Sequence, residues 1–86
     1  MHLKQFPEAI ADFREAVRLS PDSALANGNL AFALAAVPVD SLRDGQLAVR
    51  YGQRACELTQ WKNPLYITYL AAAYAADGAP WQTLRI

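Results

Sequence analysis

Apolar residues near the start of the chain recur every three or four positions. They are Phe6, Ala9, Ile10, Phe13, Ala16, Val17 and Leu19. This spacing places them on one face of a helix and leaves much of the remaining surface to charged residues. Pro7 suits a first helical turn, and Pro21 disfavours helical backbone at Ser20. The pattern predicts a helix over residues 7–19.

An alanine-rich stretch with almost no charge follows. Asp22 and Ser23 are suited to cap it, because their side-chain oxygens accept hydrogen bonds from the free backbone N–H groups at a helix start. Pro38 marks its end, since proline cannot donate the next hydrogen bond of the helix. These signals predict a second helix over residues 24–37.

A third stretch is again amphipathic. Its apolar stripe consists of Leu47, Ala48, Tyr51, Ala55 and Leu58. Asp40 and Ser41 are placed to cap it, with Asp44 three residues after Ser41 in a weak form of the capping box. These features predict a third helix over residues 42–59.

A further apolar run follows a loop at residues 61–64. It predicts a fourth helix over residues 65–76. We expect this helix to close at Gly78, because glycine readily adopts the left-handed conformation found at helix ends. Pro80 then begins a short final segment, which we assign to a helix over residues 81–86.

No run alternates apolar and polar residues for long enough to predict a strand, so the expected fold class is all-α. A chain of 86 residues has room for one small domain, residues 1–86. Its hydrophobic fraction of 53% is typical of a chain that folds. The formal net charge is zero, so no global field attracts nucleic acid or anionic lipid. We expect no nucleic-acid partner and no membrane partner.

The second half of the chain repeats the first. Ala9-Ile10, Ala16 and Leu19 recur as Ala48-Val49, Ala55 and Leu58, and Leu30-Ala31 and Leu34 recur as Leu70-Ala71 and Tyr74. The copies lie about 40 positions apart, so each unit is a helix pair. The recurrent alanines allow neighbouring helices to approach closely, and the larger apolar residues fill the space between them.

These repeated positions resemble a known family, the tetratricopeptide repeat (TPR). Its second helix is matched by Phe6-x-x-Ala9-Ile10-x-x-Phe13-x-x-Ala16-x-x-Leu19-x-Pro21. Its first helix is matched by Leu30-Ala31-x-x-Leu34 and by Leu70-Ala71-x-Ala73-Tyr74-x-x-x-Gly78. The resemblance covers nearly the whole chain. It implies antiparallel helix pairs stacked as a short right-handed TPR-like solenoid that starts and ends in the middle of a repeat.

The sequence also departs from the TPR pattern. The copies are about 39 residues apart, against the 34 of a standard repeat. Gly52 stands where the earlier copy has Phe13, and Gln60 replaces the closing proline. Asn27 and Ile67 replace the tryptophan common in the family. The third helix is therefore the least typical of the four.

Each repeat of a solenoid buries its apolar face only against its neighbours. A chain that begins and ends in mid-repeat is therefore expected to expose apolar surface at both ends. We expect a protein or peptide partner, including a second copy, so that helix 65–76 or the open face of helix 7–19 packs in a homo-oligomer. The alternative is a structural fragment or cap of a larger multidomain TPR protein whose activity lies elsewhere.

The resemblance also indicates where a peptide would bind, because the concave groove of TPR proteins is lined mainly by first helices. The register transfers the groove to Leu25, Gly28, Asn29, Phe32 and Ala36, and then to Leu65, Thr68, Ala72 and Ala76. This surface is small and apolar, which favours an apolar peptide or helix. Only Asn29 resembles the residues that grip chaperone carboxylates in some family members. The alternative interpretation is that Phe32 and Leu65 belong to the core.

Candidate catalytic chemistry is sparse. His2 is the only histidine and lies in no recognisable catalytic motif, and Cys56 is the only cysteine, which excludes an intrachain disulfide. Glu8 and Asp12 lie one helical turn apart, a spacing that is common on solvated helix surfaces. We therefore expect a non-enzymatic protein with no metal and no cofactor.

Two features of charge and hydropathy complete the expectations. Arg43, Arg50 and Arg54 are spaced to form a basic stripe on the third helix, which Asp44 and Glu57 dilute.

The uncharged stretches are shorter than the roughly 20 apolar residues of a spanning helix, and no apolar signal segment precedes Pro7. We expect a soluble, cytoplasmic protein.

Overall fold

The computed structural model describes residues 6–38 and 40–78, which form four α-helices and one short 3-10 helix without any strand. The α-helices are α1 (Phe6–Leu19), α2 (Ala24–Ala36), α3 (Gly45–Leu58) and α4 (Pro64–Ala76), and the 3-10 helix is Asp40–Leu42. The prediction of an all-α fold is confirmed for these residues. The helix predicted over residues 81–86 lies outside them, as does His2.

The Ser23 cap of α2 and the glycine after α4 agree with the prediction, whereas the Asn63 cap of α4 was not predicted. The Ser23 hydroxyl caps α2 by accepting a hydrogen bond from the Ala26 backbone N–H at 3.1 Å. The Asn63 side chain caps α4 by accepting from the Leu65 N–H at 3.0 Å. Gly78 follows α4 with φ of +81°, the left-handed conformation that was expected of it.

The start of α3 differs from the prediction. The helix begins at Gly45 and not at residue 42, and its cap is Asp44, whose Oδ1 accepts a hydrogen bond from the Leu47 N–H at 3.1 Å. The assignment of the cap to Asp40 and Ser41 was wrong, as was the capping box between Ser41 and Asp44.

A long-range hydrogen bond places Asp44 at this position. The Asp44 backbone N–H donates to the Leu34 carbonyl of α2 at 3.0 Å. In a continuing helix that carbonyl would accept from residue 38, but Pro38 has no N–H to donate. The Nε of Arg43 donates to the Val37 carbonyl at 3.1 Å. Two carbonyls at the end of α2 therefore find their donors just before α3.

Consecutive helices run in opposite directions. At one end of the α2–α3 pair Asp44 bonds to Leu34, and at the other end Arg54 Nη2 meets Asp22 Oδ1 at 2.7 Å. Gly45 at the start of α3 lies against Asp77 at the end of α4. α2 and α4 run parallel, as the proximity of Phe32 to Tyr69 and of Gly28 to Tyr66 indicates.

α2 lies at the centre and packs on all three other α-helices. Two clusters of buried residues form the core: Ile10, Leu30, Leu34, Val37, Ala48 and Ala73, and then Ala55, Cys56, Tyr66 and Leu70. Ala31, Ala48 and Ala55 have no exposed surface, in agreement with the prediction that alanine permits close helix packing. Packing on three helices agrees with the small number of polar residues in α2, yet Leu25, Phe32 and Ala36 remain exposed.

Candidate interaction surface

The predicted groove residues of α2 lie along one side of the helix. Leu25, Asn29, Phe32 and Ala36 follow each other at spacings of four, three and four residues, which keeps them on one face. Leu25 is 60% exposed and Phe32 is 45% exposed. Ala36 is exposed as well, and Asn29 is half-buried. The structure places Phe32 at the surface and not in the core.

The predicted residues of α4 also lie at or near the surface. Leu65 is 48% exposed. Thr68 is exposed, and its hydroxyl donates to the Pro64 carbonyl at 2.9 Å within the same helix. Ala72 is half-buried. With its hydroxyl already bonded, Thr68 presents mainly its methyl group.

An aromatic pair joins the two helices. The rings of Phe32 and Tyr69 lie 4.7 Å apart between centroids and are tilted by 32°. Tyr66 meets Tyr69 edge-on at 6.2 Å. The surface consists of Leu25, Asn29, Phe32, Ala36, Leu65, Thr68, Tyr69 and Ala72, and is called the α2/α4 face below. Tyr69 was not among the predicted groove residues, although its spacing of four from Leu65 places it on the same side of α4.

One residue of the predicted groove is placed differently. Gly28 is buried, and a Cβ atom at this position would lie 2.5 Å from the Cε1 atom of Tyr66. The glycine permits close approach of α4 to α2 and presents no binding surface. Its assignment to the groove was wrong, because α4 crosses α2 at this point.

An apolar cavity of about 250 Å³ adjoins the α2/α4 face. It lies between the first half of α1 and the second half of α2, and is lined by Phe6, Ala9, Ile10, Phe13, Phe32, Ala33, Ala36, Val37 and Pro38. No lining residue carries a charge. Phe32 and Ala36 belong to both the cavity and the α2/α4 face. An open face on the first helix was predicted, but this cavity was not.

The only thiol, Cys56, belongs to the core. It has no exposed surface. Burial, and after it the negative charge of Glu57, raise the pKa of the Cys56 thiol. The thiol is therefore protonated and inert near neutral pH, and Cys56 acts as a small apolar residue of the core.

The three carboxylates of α1, those of Glu8, Asp12 and Glu15, are exposed. Within ranges 6–38 and 40–78 no cluster of three histidine, cysteine, aspartate or glutamate side chains could hold a metal ion. On α1 Arg18 hydrogen-bonds to Glu15, which lowers the pKa of the Glu15 carboxyl. These groups lie on the solvated side of α1.

The predicted basic stripe of α3 is not continuous. Arg43 bonds to the Val37 carbonyl beyond the start of the helix, and Arg54 forms an ion pair with Asp22. Arg50 is exposed. The three guanidinium groups therefore do not form one continuous basic surface.

None of the helices in the described part of the chain is both long and apolar enough to cross a membrane. No protein-family model, no curated protein and no solved structure matches the chain.

Proposed function

We propose that the protein is a non-enzymatic interaction module whose α2/α4 face and adjoining α1–α2 cavity dock an apolar helix or peptide of another protein chain. A second copy of the molecule is a possible source of that helix. The helix pairs are proposed to stack in the manner of a short TPR-like solenoid. The alternating helix directions and the parallel arrangement of α2 and α4 support this stacking.

One observation carries the proposal. Four large apolar side chains are exposed in residues 6–38 and 40–78, and three of them, Leu25, Phe32 and Leu65, belong to the α2/α4 face. The fourth, Leu19, lies at the end of α1. Scattered apolar residues are normal on protein surfaces, but contiguous ones mark interaction sites. The presence of three exposed large apolar side chains on the α2/α4 face favours a docking surface there.

The chemistry of the face indicates the kind of partner. Asn29 and Thr68 are its only polar members apart from the Tyr69 hydroxyl, and none of its residues carries a charge. The adjoining cavity is equally apolar, so a side chain of leucine or phenylalanine size could enter it. A partner helix would place apolar residues at three- and four-residue spacing along this surface. Such binding should depend little on salt, because no ion pair contributes to it.

Exposed leucines allow the proposal to be tested without loss of the fold. Leu25→Gln combined with Leu65→Gln removes two apolar contacts of the face, whereas Leu19→Gln makes the same chemical change outside it. The probe is a fluorescent amphipathic helical peptide with leucines at positions i, i+3, i+4 and i+7, measured by anisotropy, and sedimentation of the protein alone measures self-association.

The proposal expects wild type and Leu19→Gln to bind the peptide or to self-associate, and the double variant to do so at least tenfold more weakly. Circular dichroism checks that all three proteins are folded. If the double variant and Leu19→Gln behave alike, the α2/α4 face is not the docking surface. If the wild type binds no peptide and sediments as a monomer at hundreds of micromolar, the function proposed is wrong.

A further inference from the structure

A second cleft lies on a different part of the molecule from the α2/α4 face. It is about 400 Å³ in volume and runs between α3 and the segment where α1 turns into α2. Val17, Pro21 and Tyr51 provide apolar walls, and Asn27, Arg50 and Arg54 provide polar groups. None of these residues belongs to the α2/α4 face or to the α1–α2 cavity.

Asn27 is the most informative residue of this cleft. It is only 2% exposed, and its Nδ2 donates two hydrogen bonds, to the Pro21 carbonyl at 3.1 Å and to the Ser23 carbonyl at 2.8 Å. These bonds fix the orientation of the amide, because an oxygen at that position could not donate. The Oδ1 atom therefore points away from the turn.

The Oδ1 of Asn27 has no donor among residues 6–38 and 40–78. Every fully buried side-chain oxygen and nitrogen in this part of the chain has a hydrogen-bond partner. The Asn27 Oδ1 must therefore reach accessible space, and the cleft is the space that Asn27 lines. The cleft thus contains one well-oriented acceptor that is available to a ligand N–H.

Of the two arginines that line the cleft, one forms an ion pair and the other does not. Arg54 Nη2 lies 2.7 Å from Asp22 Oδ1, and Glu57 is one helical turn from Arg54 on α3. Arg50 lies two turns from Glu57, about 10.5 Å along the helix axis. No carboxylate of the described residues forms an ion pair with Arg50. The cleft therefore contains one guanidinium group, that of Arg50, without an ion-pair partner among the described residues.

We propose that this cleft binds an aspartate or glutamate residue of a peptide segment, with the side-chain carboxylate on Arg50 and a backbone N–H of the segment on the Asn27 Oδ1. Guanidinium and carboxylate groups pair through parallel hydrogen bonds. Apolar side chains beside the acidic residue contact Val17, Pro21 and Tyr51. A single free guanidinium matches a monoanionic carboxylate, whereas the second negative charge of a phosphate dianion would have no unpaired cation in the cleft and would be repelled by Glu57.

The test uses the whole chain and three peptides with blocked ends. Each is a pentapeptide of alanine and valine around a central residue, which is glutamate, glutamine or phosphoserine. Binding is followed by ¹H–¹⁵N NMR, where the side-chain NH₂ signals of Asn27 report on the cleft. Arg50→Gln removes the proposed carboxylate contact. Arg14→Gln is the matched control, since Arg14 is an exposed arginine on α1 outside the cleft.

The proposal expects the glutamate peptide to shift the Asn27 signals and to bind at least fivefold more tightly than the glutamine peptide. Arg50→Gln should weaken glutamate binding at least fivefold, and Arg14→Gln should change it less than twofold. Equal binding of the glutamate and glutamine peptides to the wild type overturns the proposal, as does the absence of any shift at Asn27. Tighter binding of the phosphoserine peptide overturns the choice of a carboxylate ligand. None of these outcomes bears on the α2/α4 face.

Discussion

Gly45 lies directly against Asp77, so that a Cβ atom at position 45 would stand 2.5 Å from both the Cα and the backbone nitrogen of Asp77. Gly45 is the first residue of α3, and Asp77 is the residue that ends α4. The start of one helix is therefore packed on the backbone of the end of another. Real Cβ atoms do not approach backbone so closely, and only glycine fits.

We expect Gly45→Ala to destabilise the fold by about 2–3 kcal/mol, because neither backbone segment can move aside without disturbing the packing of α3 on α4. The measurement is the free energy of unfolding from urea titration followed by circular dichroism.

Gly52→Ala is the control for the Gly45 substitution. A Cβ atom at position 52 would lie 3.1 Å from the Leu70 Cδ1 atom and 3.3 Å from the Leu70 Cα atom, contacts that are tight but need a shift of only a few tenths of an ångström. Replacing a helical glycine by alanine also gains about 1 kcal/mol of helix propensity. We expect the free energy of unfolding of Gly52→Ala to lie within about 1 kcal/mol of the wild-type value. Equal effects at both positions would contradict the close contact at Gly45.

The cap of α3 provides a second prediction. Asp44→Ala removes the acceptor of the Leu47 N–H and should lower stability by about 1 kcal/mol, whereas Asp44→Asn keeps a capping oxygen and should cost less. Ser41→Ala should have almost no effect, because Ser41 is exposed and lies before the helix. Urea titration of the three variants distinguishes the cap seen in the structure from the one expected from the sequence. A larger loss of stability for Ser41→Ala than for Asp44→Ala would favour the cap expected from the sequence.

The end of α3 is followed by two consecutive residues in the left-handed conformation, Gln60 and Trp61. The N–H of Trp61 donates to the Cys56 carbonyl at 2.8 Å and that of Gln60 to the Glu57 carbonyl at 3.0 Å, which is the Schellman pattern of a helix end. Gln60 has φ of +57°, where glycine is the usual residue. Gln60→Gly should relieve about 1–2 kcal/mol of strain, offset in part by about 0.4–1 kcal/mol of unfolded-chain entropy.

The net gain expected from Gln60→Gly is roughly 0.5–1 kcal/mol, visible as a higher Tm. Thr59→Gly serves as the comparison. Thr59 has negative φ, and its hydroxyl donates to the Ala55 carbonyl at 2.9 Å, so glycine there should destabilise. A lower Tm for Gln60→Gly would show that the left-handed turn is not strained.

Phe32 connects the fold to the proposed docking surface. Because it is 45% exposed and stacked on Tyr69, we expect Phe32→Ala to fold, with a loss of about 1–2 kcal/mol from the ring contact and partial burial. The same variant should lose peptide binding or self-association at the α2/α4 face.

Leu34→Ala is the core comparison for Phe32→Ala. Leu34 has no exposed surface, and its truncation should cost about 2–5 kcal/mol. Global unfolding of Phe32→Ala would assign Phe32 to the core. A folded Phe32→Ala variant that binds as the wild type does would remove Phe32 from the contact surface.

The thiol provides a prediction about pH. Burial raises the pKa of Cys56, so between the ordinary thiol pKa of about 8.5 and the raised value the unfolded chain loses a proton that the folded chain keeps. The contribution of this group to stability is fully present below that range and is lost as pH rises through it. At pH 8 the rate at which a disulfide reagent labels Cys56 should equal the rate of unfolding. Cys56→Ala should remove the fall in the free energy of unfolding that occurs as pH rises above about 8.5. Rapid labelling of the folded protein would contradict burial of the thiol.

Local signals in the sequence were sufficient for most of the helices. The caps at Ser23 and Asn63 act within a few residues of themselves, so the start of α2 was predicted from neighbouring residues alone, and α4 starts only one residue before its predicted position. The start of α3 was not predictable in this way. It depends on the bond between Asp44 and Leu34, which are ten residues apart and belong to different elements.

For this chain the sequence by itself determined the all-helical class, the number of long helices in the described residues and the small apolar character of the α2 and α4 residues. Helical periodicity and capping are interactions between near neighbours, and these are readable from spacing. Only the tertiary structure decided that Gly28 is covered while Phe32 is exposed, and that Asn27 and Arg50 share a cleft. Those outcomes depend on how α4 packs on α2 and how α3 lies beside the α1–α2 turn. Contacts between residues far apart in the sequence determine both arrangements.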